Sequence, residues 1–112
     1  MHNQPLIDWI EDTASEAELV LSVCTGALLL AKAGLLDGLS ATTHWAAIDL
    51  LKETAPRTTV CPDQRFVDNG RVIVSAGVAA GIDMCFHVLS RLLGEEMARE
   101  TARYVEYPWR VT

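Results

Sequence analysis

The sequence predicts an α/β layered fold with a mainly parallel sheet. Three observations carry this reading. Leu19-Val20-Leu21-Ser22-Val23 is a short apolar run without polar alternation, as expected of a parallel strand covered on both faces. An Ala/Leu run from Gly26 to Ala33, suited to helix, follows it directly. Helix-like and strand-like segments then alternate toward the end of the chain, the order that crossover helices impose on parallel strands.

The chain has 112 residues, half of them apolar, which suits one small domain over residues 1–112 with a real core. The formal net charge of −6 argues against nucleic-acid binding by this chain alone. No apolar run is long enough to span a bilayer, and Met1-His2-Asn3-Gln4-Pro5 lacks the basic and apolar regions of a signal peptide. The three cysteines, Cys24, Cys61 and Cys85, are widely spaced, odd in number and without zinc-site spacing. The expectation is a reduced, cytoplasmic protein with free thiols.

In order, Pro5 to Glu11 reads as a helix with Asn3 as its cap and Leu6, Trp9 and Ile10 on one face. Thr13 to Glu18 reads as a polar link before the Leu19–Val23 strand. The next helix ends at Gly34, and Asp37-Gly38 forms the tip of a turn. Ser40 to Thr43 is extended, and a helix runs from Trp45 to about Glu53, closed by Pro56. Thr58 to Val60 is a short strand. Arg65 to Asp68 and Arg71 to Ser75 form a hairpin around Asn69-Gly70, whose residues supply positive φ. Val72 to Ser75 also fits a last core strand. Gly77 to Gly81 reads as a small-residue loop. The helix after it carries Asp83 in its first turn and Met84, Val88, Leu89 and Leu92 on its apolar face. It ends at Gly94, and a charged amphipathic helix covers Glu95 to Tyr104.

The chemistry points to the strand–helix junction. Cys24 stands between Ser22 and Gly26, the small-x-nucleophile-x-small spacing of a nucleophile elbow. A thiol there would feel the positive end of the following helix. Spacing alone equally fits a buried cysteine at a strand end. In α/β folds, sites gather beyond the carboxyl ends of strands. That rule brings Cys24-Thr25, Thr43-His44-Trp45 and Ser75-Ala76-Gly77 to one rim. His44 is the histidine suitably placed to take the thiol proton, or else a helix-capping histidine. The Thr25 N–H would form half of an oxyanion hole, or Thr25 simply starts a helix. Asp83 reads as a first-turn acid satisfying helix N–H groups. Cys61 and Cys85 read as packing residues, and the three tryptophans as core or interface anchors. Gly26, Trp45 and Gly77 on the same rim are the candidate substrate-binding positions.

Ser22-Val23-Cys24-Thr25-Gly26-Ala27, Ala33 to Gly38, Ala41-Thr42-Thr43-His44-Trp45 and Ala79 to Asp83 together resemble the ThiJ/PfpI family, within the class I glutamine amidotransferase-like superfamily. The nearest branch resembles isonitrile hydratases and the sensor domains of AraC-type regulators. The resemblance runs from about Leu6 to Tyr107. It implies a flavodoxin-like three-layer sandwich with Cys24 as nucleophile and Thr25 and His44 beside it. It also implies a small-molecule substrate or ligand and no metal or organic cofactor. Thr25 stands where peptidase-like members carry histidine, a departure from their pattern. Family members also have an N-terminal half that supplies the first strands, a carboxylate beside the cysteine and a second oxyanion N–H. The expectation is therefore an incomplete domain that forms a homodimer or pairs with a missing N-terminal segment. Its activity in the intact form would be hydratase- or hydrolase-like. The alternative is a non-catalytic sensor with a redox or small-ligand pocket.

Overall fold

A computed structural model of the chain describes residues 4–109. The proposed cap Asn3 lies outside them. Helix α1 (Gln4–Glu16) leads to strand β1 (Val20–Ser22), helix α2 (Gly26–Lys32) and strand β2 (Ser40–Ala41). A 3₁₀ turn (Trp45–Ala47) opens α3 (Ile48–Thr54). Then come β3 (Thr59–Val60), β4 (Phe66–Asp68), β5 (Val72–Ser75), α4 (Val78–Leu93) and α5 (Glu95–Tyr104).

Strand β5 is the centre. It pairs in parallel with β1 and antiparallel with β4, with Val74 opposite both Ser22 and Val67. All four of its residues are buried, because it is covered on both faces. Val72 and Val74 point into one core, built with Ala27, Leu28 and Leu30 of α2 and Leu51 of α3. Ile73 points the other way, onto Met84 and Val88 of α4. This period-two split of one strand between two helical layers makes the three-layer arrangement that the sequence implied. Strands β2 and β3 form a separate parallel pair. The Asn69 side chain bridges that pair to the hairpin: its amide oxygen accepts from the Ser40 N–H at 3.0 Å, and its amide nitrogen donates to the Ser40 carbonyl at 2.7 Å.

Several expectations need correction. Helix α1 runs through the presumed link to Glu16, and its buried stripe is Ile7 and Ala14, with Ile10 partly buried; Leu6 and Trp9 face outward. Strand β1 is covered on one face only, and Leu21 and Val23 are each 42% exposed. In the hairpin only Gly70 takes positive φ (95°); Asn69 serves through its side chain instead. The Gly77–Gly81 loop is mostly helix, since α4 begins at Val78, which moves Asp83 into the second turn, away from the free N–H groups. Leu92 lies on the outer face at 57% exposure. Among the described residues no helix is long and apolar enough to cross a membrane.

Candidate active site

The junction between β1 and α2 is a tight turn closed by the Gly26 N–H donating to the Val23 carbonyl at 3.0 Å. Cys24 sits inside it with φ +55°, a left-handed backbone that side chains larger than glycine rarely adopt. The only other described non-glycine residue with positive φ is Glu106. The small flanking residues have a visible reason. A Cβ on Gly26 would lie a tight 3.2 Å from the Ser22 Cβ, so the turn favours small side chains on both sides.

Three contacts hold the turn. The buried Thr43 hydroxyl donates to the Cys24 carbonyl at 2.7 Å. The buried Ser75 hydroxyl donates to the Ser22 carbonyl at 2.9 Å. Gly81 lets α4 approach, because a Cβ there would stand 3.0 Å from the Val23 Cγ1. The segments after β1, β2 and β5 therefore meet at the carboxyl ends of their strands, as the topology requires.

Each predicted residue has a definite place. Cys24 is half-buried, and its thiol makes no hydrogen bond with the described residues. Thr25 precedes α2 without a side-chain cap, and its N–H is uncommitted among the described residues. His44 adjoins Thr43, but its Nδ1 accepts from the Ala46 N–H at 3.2 Å, so the capping reading describes its contact here. That bond leaves the proton on Nε2 in the neutral ring. Trp45 is 82% exposed and its ring lies 5.4 Å from that of His44, so it is not a core residue. Trp9 is likewise mostly exposed, while Trp109 stacks on Phe86. Gly77 has extended backbone and open space around it. Cys85 is exposed, which overturns its reading as a packing residue.

The sequence did not reveal two polar clusters on α4. Asp83 accepts from Arg65 Nη2 at 2.6 Å and Nε at 3.2 Å, and from the Tyr107 hydroxyl at 2.8 Å. It therefore serves as a tertiary tie, not a helix cap. The hydrogen bond to Asp83, with some burial, raises the Tyr107 pKa above its usual value. One turn on, Asp68 meets His87 Nε2 at 2.6 Å and Arg91 Nη1 at 3.0 Å. Partial burial would push the Asp68 pKa up. The hydrogen bonds from His87 and the Gly70 N–H, with the Arg91 charge, outweigh this and hold it below the ordinary value. The only available signal was an acid and a base recurring at helical spacing along Asp83, His87 and Arg91. Among the described residues no cluster of His, Cys, Asp or Glu could hold a metal ion.

A sequence model of the DJ-1/PfpI family matches residues 1–91. The chain belongs to this family. It is 39% identical over 108 residues to the isonitrile hydratase of Pseudomonas putida, across 96% of this chain and 46% of the hydratase. It is 36% identical over 93 residues to the HTH-type transcriptional regulator CdhR of Pseudomonas aeruginosa, across 83% of this chain and 27% of the regulator. A ThiJ/PfpI family protein from Pseudomonas syringae superposes with a TM-score of 0.85 at 29% identity, over 97% of this chain and 44% of that one. The family fold is flavodoxin-like, and this chain spans about half the length of the hydratase it matches.

Proposed function

We propose that Cys24 is the nucleophile of a cysteine-dependent hydratase or hydrolase-like site. The observation that supports this most is the left-handed backbone of Cys24 in a turn closed by small residues. Such strain persists only where surrounding contacts hold it, and it clusters at functional positions. Similarity to an isonitrile hydratase suggests the substrate class. In that chemistry the Cys24 sulfur bonds to the terminal carbon of an isonitrile and that carbon gains a proton. Water then adds to the same carbon and the carbon–sulfur bond breaks, leaving an N-substituted formamide and the free thiol. The net reaction consumes one water. The Thr25 N–H would stabilise developing negative charge, and His44 would carry a proton through Nε2. Gly26, Trp45 and Gly77 would border the substrate.

The same reading assigns a role to the open side of β1. A groove of about 440 Å³ runs along it, lined by Trp9, Ile10, Leu21, Val23 and Leu29 among others. The outer edge of β1 is unpaired among the described residues. A further strand, from a second copy or from a partner segment, would cover this edge. The protein would work in the cytoplasm as a single α/β domain.

Similarity to the regulator favours a second reading, in which the elbow pocket binds a small ligand or senses oxidants without turnover. Incubation with a small alkyl isonitrile separates the two. Formamide production that Cys24→Ala abolishes supports the enzyme. Ligand-dependent protection of Cys24 without product supports the sensor.

A further inference from the structure

Arg65 touches the wall of the elbow at two points. Its backbone carbonyl accepts from the Ala76 N–H at 2.8 Å, at the end of the β4–β5 ladder. Its guanidinium reaches across to Asp83 in the second turn of α4, with Nη2 and Nε both on Oδ2. Tyr107 holds the other carboxylate oxygen from the segment after α5. The stretch between Ala76 and Asp83 contains Gly77, the first turn of α4 and Gly81. Just before it, Ser75 donates to the Ser22 carbonyl, and within it Gly81 lies against Val23, directly before Cys24.

An ion pair this exposed (Arg65 side chain 61%) contributes little to global stability. Its geometric effect is a separate matter, because two guanidinium N–H groups converging on one carboxylate oxygen fix where that oxygen sits. The positive end of the sixteen-residue α4 lies in the stretch that Arg65 brackets.

We propose that Arg65 is a positioning residue for Cys24: its fork onto Asp83 seats the first turn of α4 against the elbow and so sets the reactivity of the thiolate. This rests on the reading of Cys24 as the reactive thiol.

The test uses the full chain with Cys61→Ser and Cys85→Ser, alkylated by iodoacetamide and followed by mass spectrometry. Arg65→Gln is expected to slow Cys24 alkylation about threefold at pH 7. The thermal midpoint should stay near that of the parent. Arg65→Lys, which keeps the charge but loses the fork, should fall between the two. Asp83→Asn, which keeps hydrogen-bonding shape but removes the charge, should slow Cys24 alkylation likewise and carries the test if Arg65→Gln does not fold. A parent-like alkylation rate in the glutamine variant overturns the proposal, as does a loss of reactivity that lysine does not relieve and that tracks thermal destabilisation. If Cys24 in the parent reacts as an ordinary free thiol, the nucleophile reading falls and this inference with it. An activated parent with an unchanged glutamine variant removes this inference alone.

Discussion

The Thr43 hydroxyl donates to the Cys24 carbonyl at 2.7 Å, tying the segment after β2 to the strained turn after β1. Thr43 is buried, with its hydroxyl committed to this bond. Thr43→Val should cost about 1–3 kcal/mol in denaturant unfolding, because it leaves a carbonyl without a donor. Cys24 alkylation should slow in the same variant, since its backbone loses one of its restraints.

Gly81 gives a sharper steric test. Alanine in a helix interior is ordinarily about 1 kcal/mol better than glycine. Here its Cβ would meet the Val23 Cγ1 at 3.0 Å. Gly81→Ala should therefore destabilise, by about 1 kcal/mol net once overpacking is set against propensity. In a Val23→Ala background the same substitution should stabilise. A double-mutant cycle by urea unfolding reads this change of sign directly.

The hydroxyl of Thr42 is fully buried and has no hydrogen-bond partner among the described residues. Thr42→Val keeps the shape and removes the unpaired group. It should be neutral or stabilising by up to about 2 kcal/mol in chemical denaturation.

Asp68 sets a pH dependence. Its folded pKa lies below the unfolded value near 3.8, so its contribution is fully present above that value. The contribution is lost as pH falls through the folded pKa, where the carboxylate protonates and its ties to His87 and Arg91 weaken. Asp68→Asn should be less stable than the parent at pH 7, and the difference should close below about pH 3.8. Parallel thermal melts at pH 7 and pH 3 check it.

Much of this architecture was legible in the sequence because local signals agreed with tertiary demands. The Ser22–Gly26 spacing, Gly34, Asn69-Gly70 and Gly94 each marked a turn that the structure contains. The failures have physical causes. Thr13 to Glu18 looks polar, yet burial of Ala14 alone extends α1. Small residues from Gly77 to Gly81 suggest a loop, but α4 begins at Val78, and Gly81 is small because the helix approaches Val23 there. Leu21 and Val23 read as fully covered because an apolar strand carries no mark of which neighbours are present. Asp83 looked like a cap because its partners, Arg65 and Tyr107, are far away in sequence. At the site, the small residues around Cys24 and the capping role of His44 were readable, because both are local in sequence. The left-handed backbone of Cys24 and the tie from Thr43 were not, since the spacing fits a buried cysteine equally and the tie depends on how separate segments meet.

The most direct measurement is the rate of Cys24 alkylation at pH 7 in the chain carrying Cys61→Ser and Cys85→Ser. A nucleophile held in a formed elbow should react faster than Cys85 does in its own single-cysteine variant. A Cys24 that reacts no faster than the exposed Cys85 would contradict its assignment as the nucleophile.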